Sequence, residues 1–269
     1  MILASNGIIA GKGSMPMDTD AQVFITAATI TDTTQQSAIN QLVLDLKSAN
    51  IWTKMKAIYP FVGGTATTHK WNLKDPRDLD AAYRLAFVGG GSHSSSGYLL
   101  NGSNSWANTF FTPSVNWSTA GKSSFGLYST INNTLAGRIA MGTQQGAGWV
   151  LLFLKDGVSN YALNNTSWGS FVGPGDSSND KRGFFQSSRN NSTTTQLYSR
   201  NNNNYSANSA YTGVANIPIF IGTMNGSANA YVENINVAFS YIGEDLSATD
   251  MSNYYTAVQT FQTTLNRQV

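Results

Sequence analysis

From about residue 83 to residue 243 the chain repeats one texture: a short apolar run, then a cluster of Gly, Asn and Ser, then another apolar run. The runs at 84–88, 109–112, 124–128, 148–154 and 217–221 are too short for helices and are bounded by turn formers, as antiparallel strands are. Lys155-Asp156-Gly157 reads as a hairpin turn, and the asparagines at 201–204 as a strand-to-strand tip. Tyr231, Ile235, Val237, Phe239 and Tyr241 alternate with other residues, interrupted only by Glu233. A block of this length accommodates about ten or more strands packed as two sheets. The expected class is mainly β.

Helical patterns bracket the block. Asp32 stands as an N-cap with Gln35 as its reciprocal partner, and Ala38, Ile39, Leu42, Val43 and Leu46 follow at helical spacing until Asn50 interrupts. Ile51, Trp52, Met55, Ile58 and Tyr59 suggest a second short helical turn ending before Pro60. A last helix opens on Ser247 and Asp250 and carries Met251, Tyr254, Tyr255, Val258, Phe261 and Leu265. Residues 1–20 lack any period. Met1, Ile2, Leu3, Ile8 and Ile9 form two apolar clusters there, separated by Ser5-Asn6-Gly7, which suits an arm that docks on a partner. The organisation expected is a docking arm (1–20), a helical entry (21–80), a β-sandwich (81–243) and a C-terminal helix packed on it (244–269).

Composition limits the chemistry. Only 11% of the 269 residues are charged, against roughly 25% in ordinary soluble domains, and Asn, Ser and Thr take their place. Sixteen basic and 14 acidic residues leave a net charge of +2, so nucleic acid is not an expected partner. No apolar run approaches the roughly 18 residues of a membrane helix, and no positively charged leader precedes an apolar stretch, so neither membrane insertion nor a signal peptide is expected. Without cysteine there are no disulfides and no thiolate metal sites.

His69 and His93 are the only histidines, and neither has a second ligand at zinc-site spacing. His93 lies in a Gly- and Ser-rich stretch without a nucleophile elbow, and reads as part of a polar loop. A glycoside hydrolase needs two facing carboxylates. The chain has two Glu, Glu233 and Glu244, and between residues 81 and 232 its only acids are the turn residues Asp156, Asp176 and Asp180. Asp176 and Asp180 have the oxygen donors of a calcium loop, yet Lys181 and Arg182 follow at once and oppose a cation. No catalytic residue, metal site or cofactor is therefore expected. The charges at 70–84 alternate in sign and read as an intramolecular ion-pair network. Trp106, Trp117 and Trp168 stand among small polar residues, a setting that suits sugar rings. Trp106 and Trp117 read as core-edge aromatics, whereas Trp168 is open between that role and glycan contact.

Four strings carry a family resemblance: residues 20–46 (DAQVFITAATITDTTQQSAINQLVLDL), 52–64 (WTKMKAIYPFVGG), 71–85 (WNLKDPRDLDAAYRL) and 239–269 (FSYIGEDLSATDMSNYYTAVQTFQTTLNRQV). Together they resemble a family of tailed-bacteriophage virion proteins in which a concanavalin-A-like or laminin-G-like jelly roll is fused to helical flanks. Gly102-Ser103-Asn104-Ser105-Trp106-Ala107 resembles a strand entry of that family. The chain departs from it at Asn266, where Gly is common, and at Asp250, where Glu is usual. The resemblance implies a concanavalin-like jelly-roll sandwich and a non-enzymatic structural role in a virion, as head fibre, capsid decoration or tail fibre. The partners it implies are other virion proteins, with room for a homo-oligomer and for contact with a host-surface polysaccharide. The runner-up reading is a carbohydrate-binding adhesin without a virion role.

Overall fold

The computed structural model describes residues 16–119, 121–156, 159–173, 180–190, 195–226 and 231–269. Its helices are α1 (Thr19–Ala27), α2 (Thr33–Ser48), α3 (Ala66–His69), α4 (Pro113–Asn116) and α5 (Ala248–Thr264), with single 3-10 turns at Trp52–Lys54 and Asp80–Ala82. The strands of its first half are β1 (Met55–Tyr59), β2 (Ala86–Val88), β3 (Ser92–Ser94), β4 (Gly97–Leu99), β5 (Trp106–Asn108), β6 (Ser123–Ser129) and β7 (Met141–Gln145). They are followed by β8 (Gly148–Asp156), β9 (Ser159–Thr166), β10 (Gly183–Arg189), β11 (Thr195–Arg200) and β12 (Asn203–Asn208). The last are β13 (Phe220–Ile221), β14 (Met224–Asn225) and β15 (Asn236–Gly243).

These strands form a concanavalin-like jelly-roll sandwich. One sheet runs β12-β11-β10-β6-β15-β4-β3, with β1 also on β15; the other runs β2-β5-β13-β7-β8-β9. Pairing is antiparallel apart from the two-residue β14, which lies parallel to β7. Alternation along the strands sorts side chains into layers. Phe125, Leu127, Phe185 and Ile242 meet Val150, Leu152 and Ala162 between the sheets. Tyr128, Phe184, Phe239 and Tyr241 turn the other way, onto Leu42, Val43, Leu46, Tyr254, Val258 and Phe261 of the helices. Two helical stripes, one from each end of the chain, thus cover one face of the larger sheet.

Several expectations need correction. Met55–Tyr59 is a strand, not a helical turn: Ala57 and Tyr59 face the inter-sheet core and Met55 and Ile58 the helices, so burial on both faces imitates a helical period. The sandwich accordingly begins well before residue 81. Gln35 does not close a capping box; Asp32 accepts from the Gln35 N–H (2.8 Å), while the Gln35 side chain accepts from the Gly63 N–H (2.8 Å). The run at 109–112 leads out of β5, and only Phe220–Ile221 of the run at 217–221 is strand. His93 lies in β3, not in a loop. α1 was not legible in the sequence: Asp18 caps it, accepting from the Asp20 N–H, and pairs with Lys47 of α2 at 2.7 Å. The chain thus becomes helical before the expected end of the arm at residue 20. Met1, Ile2, Leu3, Ile8 and Ile9, and Asp176, lie outside the described residues.

Candidate functional site

The outer face of the smaller sheet carries an apolar layer that none of the described helices covers. On β8, Val150, Leu152 and Leu154 enter the inter-sheet core, so Trp149, Leu151 and Phe153 point outward; on β9, Tyr161 and Leu163 join them. Ile139 and Met224 extend the same layer. The segment after β9 then folds back, held by paired backbone bonds between Ala162 and Val172 (2.9 and 3.1 Å), and sets two further aromatics on this face. Trp168 lies 5.3 Å from Trp149 and 6.3 Å from Phe153, ring centre to ring centre, and meets Phe171 edge-on at 5.0 Å. Phe171 in turn leans on Tyr161 at 4.3 Å.

Of these residues, Ile139, Trp149, Leu151, Phe153, Trp168 and Met224 join Gly137 and Tyr231 in lining a groove of about 430 Å³, within the range of small-ligand sites. Trp168 is 55% exposed and Tyr231 42% exposed, so both rings offer surface to solvent. Asp156, at the end of β8, gives the groove a polar end; the Tyr161 hydroxyl donates to its Oδ2. Burial, and then the Asp156 carboxylate, pushes the Tyr161 hydroxyl well above the usual phenol range, so it stays a donor. A flat apolar wall beside a hydrogen-bonding acceptor matches a sugar, whose C–H face stacks while its hydroxyls bond outward.

The other sequence candidates lie elsewhere. Trp117 is buried, its Nε1 donating to the Gly243 carbonyl (2.8 Å). Trp106 is half-buried and stacks on Phe220, ring centres 6.4 Å apart. Asp180 is clasped by Arg182 at 2.9–3.2 Å. Lys181 turns inward to a fully buried pair with Glu233 at 2.7 Å, where burial holds its ammonium below the usual range. Glu244 pairs with Lys56 at 2.9 Å. The charged run at 70–84 forms local pairs, Lys70 with Asp78, Arg77 with Asp75 and Arg84 with Asp80. No group of three or more metal-ligating side chains gathers among the described residues.

The sequence singles out Trp168 but not its setting. The run at 148–154 reads from the sequence only as a strand; which of its residues enter the inter-sheet core and which point outward is set by the sheet pairing. Reasoning also missed that His69 and His93 meet, Nδ1 to Nδ1, at 2.9 Å, with His93 stacked on Tyr98.

No protein-family model matches the sequence, and no curated protein matches it. Solved structures do match the fold. Domain 4 of AbnA, a GH43 extracellular arabinanase from Geobacillus stearothermophilus, in complex with arabinotriose, superposes at a TM-score of 0.50 with 12% identity, covering 75% of this chain and 98% of that one. A mutant of Trypanosoma rangeli sialidase displaying trans-sialidase activity matches at 0.54 with 11% identity, over 83% of this chain. The same organism's sialidase in complex with sialic acid matches at 0.53 with 9% identity. The chain spans 39% and 33% of those two sialidase chains. At such identities the likeness is one of fold: mainly β, with two antiparallel sheets.

Proposed function

We propose that this protein is a non-enzymatic glycan-binding protein that holds sugar rings against Trp168 in the groove on the outer face of the smaller sheet. The observation that carries this reading is the exposed indole of Trp168, backed by Trp149, Phe153 and Phe171 and bordered by Asp156. Domains of this fold in carbohydrate-active proteins, one of them in complex with arabinotriose, support it. A non-catalytic role is supported by the acids: Glu233 and Glu244 are engaged in ion pairs, and among the carboxylates of the described residues Asp156 alone lines the groove, whereas glycoside hydrolysis uses two. A glycan array tests the reading. Saturable binding to the wild type, lost in Trp168→Ala with no turnover of the bound polysaccharide, is the expected result; turnover would make the protein an enzyme.

On the sequence resemblance, we place this activity in a tailed-bacteriophage virion, as head fibre, capsid decoration or tail fibre, with other virion proteins as partners and residues 1–15 within the docking arm. The measurement is mass spectrometry of purified particles. Removing residues 1–15, which spares the Asp18 cap of α1, is expected to leave melting unchanged and abolish incorporation; incorporation at normal occupancy would assign docking to another surface. An adhesin without a virion role is the reading left if no particle contains the chain.

A further inference from the structure

We infer that the groove selects neutral sugars and turns away anionic ones, with Asp156 as the discriminating group. The inference rests on the glycan-binding reading above and gives that site its ligand class. Among the described residues that line the groove, Asp156 is the only one with a charged side chain. Tyr161 fixes the carboxylate in place by donating to Oδ2. Its Oδ1 lies 3.6 Å from where a side chain on Gly137 would begin, and Gly137, with a φ of +65°, sets no side chain against it. Two cations neighbour the groove in sequence, Arg138 and Lys155. Neither is among the described residues that line it, and both bear electrostatically on the Lys181 ammonium. A neutral sugar can donate a hydroxyl to the carboxylate while stacking on Trp168. A sialic or uronic acid brings a second negative charge against Asp156 with no lining cation among the described residues to meet it, and such like-charge contact is how sites exclude wrong ligands.

The test compares binding of neutral oligosaccharides with the same oligosaccharides bearing a sialic or uronic acid, for the wild type and Asp156→Asn. At low salt the acidic form is expected to bind at least about fivefold more weakly to the wild type. The gap should close in Asp156→Asn, which keeps an oxygen to accept from Tyr161, and should narrow for the wild type near 1 M salt, where the screening length is about 3 Å. Equal or tighter binding of the acidic sugars to the wild type, or a gap that ignores both the variant and the salt, would overturn the inference while leaving the glycan-binding reading intact. If sugars of neither class bind, the glycan-binding reading falls and takes this inference with it. The salt titration uses the wild type alone, so the inference stays open to refutation even if Asp156→Asn folds poorly.

Discussion

Each of the three long helices ends on a residue with left-handed backbone that is not glycine: Thr29 (φ +53°), Asn50 (φ +57°) and Asn266 (φ +55°). The same pair of bonds follows each time, as in Asn50 N–H to Lys47 O and Ile51 N–H to Leu46 O, so the last carbonyls are satisfied. Asparagine tolerates this conformation, which is why Asn50 could be read as a stop and why Asn266 can stand where glycine is common. Thr29 is β-branched and exposed, so Thr29→Gly is expected to stabilise the fold by about 1 kcal/mol. Chemical denaturation measures this directly. The histidine pair has its own signature. One Nδ1 donates and the other accepts; protonating both rings would set two Nδ1–H groups against each other. Burial, then His93 and Arg267, lowers His69 from 6.5 to about 3. The unfolded chain therefore binds the proton that the folded one refuses, so stability is full above about pH 6.5 and falls on acidification by up to about 1.4 kcal/mol per pH unit. Melting between about pH 4.5 and 6.5, above most carboxylate titration, should show a shallower acid slope in His69→Gln. Nothing in the sequence joins His69 to His93, because their meeting depends on the docking of α3 against the β3–β4 hairpin.

At the scale of elements, the helices α2 and α5 were legible because each buries a single stripe. Strand β1 was not, because its two faces are buried by different layers. The C-terminal segment does more than cover Phe239 and Tyr241. Arg267 is buried beyond the end of α5 and donates to Gln262 Oε1, Phe61 O, Pro60 O and Ala238 O at 2.9–3.2 Å, so one side chain ties α5 to β15 and to the chain leaving β1. Deleting residues 247–269 would uncover the aromatic face of the larger sheet and leave those carbonyls unpaired. Aggregation or incomplete folding is the expected outcome in size-exclusion chromatography; a soluble truncation with unchanged melting would contradict it. Glu233 had looked like a flaw in an alternating strand, whereas it precedes β15 and neutralises the buried Lys181. Glu233→Gln, which strands that ammonium, should cost about 3 kcal/mol in denaturant titrations, far more than loss of an exposed pair such as Arg77 with Asp75.

At the scale of the whole molecule, helices, the larger sheet and the smaller sheet stack as three layers, and none of the described helices lies over the apolar outer face of the smaller sheet. The two-sheet architecture was legible in the sequence because turn clusters and short apolar runs report strands directly. The groove was not, since it depends on which face of β8 and β9 the last layer leaves open, a property of assembly and not of any one strand. Trp168 was visible only as an aromatic among small polar residues; its support by Trp149 and Phe153 required the fold. If the groove is a sugar site, removing the exposed ring of Trp168 should weaken binding without loosening the molecule. The decisive measurement is titration calorimetry of the best glycan against wild type and Trp168→Ala, with melting curves of both. Loss of a single stacked ring should weaken binding by at least tenfold, about 1.4 kcal/mol, with an unchanged melting temperature. Wild-type affinity in Trp168→Ala would place the sugar elsewhere and contradict the groove as the binding site.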